Sequence, residues 1–295
     1  MLGGVFAAPQ AALADTAGVG VGVEAALSAD LVPILAPPAP SKDDRATKGT
    51  HAPKGKPPAV GKTRSTDKLL ALTYFYNGGR QTITGTGASA NLTIHTPSLD
   101  TTAGDFHTLT EIAVQSANSQ QIVEVGWTID PAVNGNSNPH LFVYNWVNGS
   151  PGCYNGCGWV DNGSNSFDAG DALTSGTTKR FGILYSGTSP NGQWWVHYDG
   201  AFVGYFPETD WGAAFNQSGL HQLFGEVAAN SAAPCTDNGN ALYGSNPSAA
   251  VIGSTSIEGV LNANVNLTAF EDDPTMYDVN KLSGRTLQYG GPGDC

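Results

Sequence analysis

Gln121-Ile-Val-Glu-Val-Gly-Trp127 is the stretch on which the fold turns. Side chains alternate across a strand, so Ile122, Glu124 and Gly126 share one face while Val123, Val125 and Trp127 share the other. The run is short, apolar and rich in β-branched residues, which predicts a strand with an odd carboxylate in it. Leu223-Phe-Gly-Glu-Val-Ala228 repeats the situation, with Phe224, Glu226 and Ala228 on one face and Leu223, Gly225 and Val227 on the other. A solvent-facing sheet surface would explain either glutamate by itself. If the two strands are neighbours in one concave sheet, the carboxyls share a cleft and their pKa values are driven apart, one ionised and one protonated. Gly126, on the same face as Glu124, is where a ligand backbone could approach closely, and Glu226 again sits beside a glycine in an apolar run.

Outward from these runs the pattern continues as strands and turns. Strands are expected at residues 69–76, 88–95, 108–113, 121–129, 140–147, 180–186, 193–198, 201–205, 221–228 and 261–270, a spacing suited to a sandwich. Asn77-Gly-Gly, Pro190-Asn-Gly and Asp199-Gly200 read as turns, the last as a two-residue hairpin. Gly is abundant at 38 residues, charged residues are 13%, and no helical periodicity persists past residue 70. The expected fold is therefore all-β, an antiparallel β-sandwich with a concave active-site sheet, over residues 67–295.

The N-terminal part differs in kind. Residues 1–15 end their apolar stretch in Ala12-Leu-Ala14, the A-x-A end of a signal peptide without its basic n-region. Residues 16–66 are Pro-rich, basic and free of large aromatics after Phe6, so they cannot bury a core of their own and read as a disordered propeptide or linker. Within them Gly55-Lys-Pro-Pro-Ala-Val-Gly61-Lys62-Thr63 imitates a phosphate-binding loop. Five residues separate its glycines, two of them prolines lacking N–H, and no strand precedes it, so nucleotide binding is rejected.

Charge is segregated in the same way. Eight of the thirteen Lys/Arg lie between Lys42 and Lys68; from residue 69 onward five stand against nineteen Asp/Glu, a balance of −14. An acidic body repels nucleic-acid phosphates and suits work at low pH. No run is long and apolar enough for a membrane helix. Four cysteines suit an oxidising compartment, hence secretion. The favoured pairing is Cys153 with Cys157 across the Tyr-Asn-Gly turn and Cys235 with Cys295, ahead of a zinc site, for which a second close pair or spaced histidines are missing. His95, His107, His140, His197 and His221 are scattered and read as ordinary strand or surface histidines.

Six ordered blocks add a resemblance: Ile122-Val-Glu-Val-Gly-Trp127, Leu141-Phe-Val-Tyr144, Gly152-Cys-Tyr-Asn155 with Cys157, Gly192-Gln-Trp-Trp-Val196, Val203-Gly-Tyr-Phe-Pro207 and Phe224-Gly-Glu-Val227. In this order they resemble the neprosin family of glutamic peptidases over residues 69–295. The resemblance implies a secreted, propeptide-bearing β-sandwich enzyme that cleaves at acid pH, with a preference for the carboxyl side of proline. It matches the catalytic glutamates to Glu124 and Glu226, and the family's short-range disulfide to Cys153–Cys157. Where members often carry Trp-Gly-Gly-Glu, this chain has Leu223-Phe-Gly-Glu226.

In the mechanism expected, one ionised glutamate activates water and the other, protonated, stabilises the oxyanion and helps protonate the leaving nitrogen. By the order of the related eqolisins, a glutamine then a glutamate, Glu226 is the base and Glu124 the acid. Trp127, Trp195 and Tyr205 are the candidate substrate-binding aromatics, able to stack on a proline ring. No cofactor or metal is expected. The expected partners are a proline-containing peptide and the chain's own propeptide as inhibitor, with a monomer as the working state. A glycoside hydrolase or a lectin-like module is the competing class for a carboxylate pair in a sandwich.

Overall fold

A computed structural model describes residues 48–61, 65–67, 72–163, 167–212 and 214–295. The signal-peptide reading of residues 1–15 and most of the propeptide reading lie outside these residues. All strand pairs are antiparallel and fall into two sheets. In the first, the spatial order is β1 (Ser65–Asp67), β2 (Leu72–Gly85), β12 (Ser218–Ala229), β4 (His107–Gln115), β5 (Ile122–Ile129), β6 (His140–Val147) and β7 (Ser150–Pro151), with β14 (Thr268–Glu271) also pairing β2. The second runs β15 (Asp278–Lys281), β16 (Leu287–Gly290), β13 (Ala250–Ile257), β3 (Gly87–Ile94), β9 (Thr177–Ser186), β10 (Gln193–Tyr198), β11 (Ala201–Pro207) and β8 (Val160–Asp161). No helix among the described residues is long and apolar enough to cross a membrane.

Strand alternation sorts the side chains. Val123, Val125 and Trp127 of β5, with Ile112 and Val114 of β4, pack in one buried cluster with Phe181, Ile183, Trp194 and Val196 of the second sheet. This is the sandwich interior, and removing such apolar surface from water is the main source of its stability. Ile122, Leu109, Ala113, Phe224 and Ala228 point the other way, into a second cluster on the outer face of the first sheet. That face is rich in aromatics, among them Tyr74, Tyr76, Tyr144, Trp146 and Tyr154.

Asp199 and Gly200 take φ of 48° and 85°, the left-handed pair that a two-residue hairpin between β10 and β11 requires. Asn77-Gly-Gly79, expected as a turn, instead runs straight through β2. A Cβ on Gly78 would stand 2.6 Å from Phe224 Cβ, so this glycine lets β2 and β12 approach closely rather than reverse the chain. The strand expected over residues 261–270 shrinks to β14, preceded by a short 3-10 turn at Asn262–Asn264. Both expected disulfides are present, with Cα separations of 5.6 Å for Cys153–Cys157 and 5.2 Å for Cys235–Cys295.

The segment Lys48–Gly61, which has no core of its own, is ordered because it borrows one. It lies on the outer face of the first sheet, where Ala52 packs against the aromatic cluster and Pro57 and Pro58 are buried. Thr50 forms a bridge to Tyr154, whose N–H donates to the Thr50 carbonyl at 3.0 Å. For Lys48–Gly61 the expectation of disorder therefore fails, because the outer face of the first sheet supplies the burial that the segment lacks by itself.

Candidate active site

Glu124 and Glu226 do share a face, but their strands are not neighbours: β4 lies between them. Adjacent strands are about 4.8 Å apart, so the two backbones stand roughly 10 Å apart and only the side chains converge. The intervening strand contributes a third carboxylate. Glu111 is opposite Gly126 on one side and Phe224 on the other. A Cβ on Gly126 would lie 2.8 Å from Glu111 Cα and 2.9 Å from its Cβ, so the glycine expected to admit a ligand admits this neighbouring strand.

The three glutamates are fully buried and surround one ammonium, that of Lys54. Its Nζ is 2.9 Å from Glu226 Oε2, 3.1 Å from Glu111 Oε1 and 3.4 Å from Glu124 Oε2. Gly55 N–H donates to Glu226 Oε1 at 2.9 Å, and Tyr76 Oη donates to the Lys56 carbonyl at 3.1 Å. Further along, Gln222 donates to the Pro58 carbonyl at 3.0 Å. Gly55 has no room for a side chain: a Cβ there would be 2.9 Å from Glu226 Oε1 and 2.7 Å from the Tyr74 ring.

The two candidate catalytic carboxyls differ in their other partners. Trp146 Nε1 donates to Glu124 Oε1 at 2.9 Å. His107 Nε2 stands 2.8 Å from Glu226 Oε1. Burial raises the pKa of Glu124 and Glu226 nearby raises it further, against the lowering pull of Lys54, leaving it at about 7. Burial acts on Glu226 too, but Lys54 and His107 together outweigh it and hold this carboxyl below the ordinary range. Glu111, buried and next to Glu124, is held well above that range. Lys54 is opposed by burial, yet the three glutamates keep it firmly protonated.

The aromatic candidates fall elsewhere. Trp127 lies in the sandwich interior and donates from Nε1 to the Thr93 carbonyl at 2.9 Å. Trp195 and Tyr205 belong to the second sheet, where they pack with Val160 and Phe202 in a cluster of their own. Trp194, their alternate neighbour, is the one that enters the core. None of the three lines the glutamate site; alternation puts β5's tryptophan behind Glu124, and β10 and β11 are in the other layer. The site is lined by Tyr74, Tyr76, Tyr144 and Trp146 instead.

Sequence reasoning also missed Glu111, His107 and Lys54. His51 comes within ligand reach of Cys153 and Cys157, but the disulfide takes both sulfurs and leaves no thiolate pair for a metal.

The sequence model described as Neprosin matches residues 105–292. Among solved structures, the chain is similar to a scytalido-glutamic peptidase holding a transition state analogue inhibitor, at 10% identity and a TM-score of 0.45, covering 75% of this chain and 99% of that one. An eqolisin-family peptidase, SCP-B with the tripeptide Ala-Ile-His, follows at 10% identity and a TM-score of 0.38, with the same coverage. An alginate lyase from a Chlorella virus overlaps more loosely, at 9% identity and a TM-score of 0.28, covering 54% of this chain and 82% of that one.

Proposed function

Because the chain belongs to the neprosin family of glutamic peptidases, we propose that it is a secreted, monomeric acid endopeptidase that cleaves on the carboxyl side of proline. In this reading Glu124 and Glu226 are its acid and base, and residues 48–61 keep it latent. The observation that carries the reading is the convergence of the buried Glu124 and Glu226 carboxylates on one point, occupied by the Lys54 ammonium.

Glu226, held ionised, takes a proton from water as the oxygen attacks the scissile carbonyl. Glu124, whose burial holds its carboxyl above the ordinary range, stays protonated in acid, donates a hydrogen bond to the developing oxyanion and then supports protonation of the leaving nitrogen. The opposite displacements of the two carboxyls agree with base and acid in that order. Proline preference is supported by the aromatic lining and by the buried Pro57 and Pro58, whose segment lies in the cleft and is read at the Pro58 carbonyl by Gln222. The occupant is a peptide held partly through its backbone, which favours a peptide over a carbohydrate substrate.

That segment binds as an inhibitor rather than a substrate. Lys54 Nζ, Gly55 N–H and His107 engage both oxygens of Glu226. A cation thus occupies the position where water and a carbonyl would meet. The free cleft, without Lys54 to hold its carboxyls down, takes up protons more readily than the occupied one. Segment affinity accordingly falls as pH falls. Glu124 and Glu111, held high, are neutralised first on acidification, and Glu226 last.

The test is incubation at pH 3 to 5 with a proline-containing peptide, beside Glu124→Gln and Glu226→Gln. Loss of cleavage in both variants is expected. Full activity in either sinks the paired-glutamate mechanism, and equal cleavage after any residue sinks the proline preference.

A further inference from the structure

The mechanism needs Glu226 ionised in acid while a second carboxyl close by stays protonated. Two cationic side chains face Glu226, and only one of them belongs to the sheet. Lys54 leaves with the segment; His107, the first residue of β4, stays. The other polar groups that face Glu226 are Gly55 N–H from the segment, Tyr76 from β2, Glu111 from β4, Glu124 from β5, Tyr144 from β6 and Tyr154 beyond β7. None of these is a cation. With the segment gone, His107 is the one positive group left beside this carboxylate among the described residues.

Its surroundings are built for the purpose. The imidazole is completely buried, with Nε2 2.8 Å from Glu226 Oε1 and Nδ1 3.7 Å from Asp130 Oδ2, within ion-pair range. Asp130 is itself fixed, because its Oδ1 caps the short helix α1 (Pro131–Asn134), accepting from Ala132 N–H at 3.0 Å and Val133 N–H at 3.2 Å. One carboxylate oxygen is thus committed to the cap and the other faces the ring. We propose that His107, oriented by Asp130, is a positioning residue that holds Glu226 as the ionised base once the Lys54 segment has left.

Burial works against a charged imidazole, but Asp130 and Glu226 on its two sides outweigh it and hold His107 above the ordinary imidazole range. The ring therefore carries its charge across the whole acid range in which the enzyme would work. The arrangement gives a chain Asp130, His107, Glu226, in which charge alternates and the terminal member is the base.

The inference rests on the peptidase reading, and its test separates the two. Full-length protein carrying His107→Gln or Asp130→Asn is processed in acid, and kcat/KM for a proline-containing peptide is followed against pH. An opposite charge at this range lowers a carboxyl pKa by about 1 to 3 units. His107→Gln is therefore expected to move the acid limb up by at least about one pH unit, a tenfold or greater loss at the acid end, with KM and the plateau kept within a fewfold. Asp130→Asn, which preserves the cap, moves the limb in the same direction by less. A uniform loss at every pH with an unmoved limb marks a merely structural role and overturns the proposal.

A second measurement needs no activity. In full-length Lys54→Met protein, the 13C titration of the Glu226 carboxyl, assigned by its loss in Glu226→Gln, is compared with and without His107→Gln. The midpoint is expected to rise when His107 is removed, and an unchanged midpoint refutes the role. If the wild type cleaves no peptide, the peptidase reading fails, and this titration still decides whether His107 governs Glu226.

Discussion

Removing the Lys54 ammonium while keeping its four-carbon chain should separate charge from shape in the latent state. A synthetic peptide spanning Lys48–Gly61, added to acid-processed enzyme, keeps the Gly55, Lys56 and Pro58 contacts and can carry norleucine at position 54. The native lysine is fully buried among Glu111, Glu124 and Glu226. Removing one partner of a buried ion pair typically costs about 3 to 5 kcal/mol, because the remaining charge is left without compensation. At about 1.4 kcal/mol per decade this corresponds to inhibition weaker by roughly a hundred- to several-thousand-fold. Here the glutamates can take up protons instead, so the lower end applies at pH 5 and the larger effect towards pH 7. The assay is the inhibition constant of each peptide against cleavage of a quenched fluorescent substrate between pH 4 and 7. For the lysine peptide the constant should weaken about tenfold per pH unit for each proton taken up on release. A norleucine peptide that inhibits within threefold of the lysine peptide at every pH would refute the electrostatic plug.

Four shorter predictions use the same geometry. In full-length Gly55→Ala the new Cβ meets Tyr76, Tyr74 and Glu226, so the segment should detach and cleavage should begin at a higher pH than in the wild type, read by timed acid activation. Trp146→Phe removes a donor that favours ionised Glu124; the carboxyl should hold its proton to a higher pH, moving the alkaline limb of kcat/KM upward by about one unit. Gly126→Ala forces a Cβ against Glu111 and should destabilise the fold by about 1 to 3 kcal/mol, seen as a lower Tm. Trp195→Leu should lower Tm while leaving KM for proline-containing peptides unchanged, because its ring packs in a cluster on the second sheet.

The division of the site between what the sequence displays and what it hides follows from strand geometry. Glu124 and Glu226 are conspicuous because each interrupts an apolar run, and period-2 alternation assigns each of them a face without further information. The same rule puts Trp127 on the face opposite Glu124, so its place in the core is legible from Gln121–Trp127 alone. Trp195 and Tyr205 are harder, since alternation separates Trp194 from Trp195 but cannot say which sheet β10 and β11 join. Tyr74, Tyr76, Tyr144 and Trp146 could have been found by asking which aromatics share the face of a candidate glutamate, for Tyr144 pairs directly with Glu124, and Tyr76 with Glu226.

Strand β4 is the common reason that His107 and Glu111 stay hidden in the sequence. His107-Thr-Leu-Thr-Glu-Ile-Ala-Val-Gln115 carries polar residues on both faces, His107, Glu111 and Gln115 on one and Thr108 and Thr110 on the other, so alternation marks neither face as the site, and the expected range began one residue after His107. Its order in the sheet is set by long-range pairing, which local pattern does not encode. In the sheet β12 and β5 take the two edges of β4, the second sheet covers the face of Ile112 and Val114, and the Lys48–Gly61 segment lies on the face of Glu111. The polar residues are then obliged to find partners, since a buried charge is tolerated only when paired. His107 meets Glu226 and Asp130, and Glu111 meets Lys54. The two glutamates that mark the site in the sequence thus depend on the strand between them. If Glu226 is kept ionised from within the sheet and Lys54 is the removable cation, latency and catalysis draw on the same carboxylates with different counter-charges. Protonation of Glu111 and Glu124 then weakens the hold on Lys54 while His107 keeps Glu226 competent, so the acid that opens the cleft does not also silence the base.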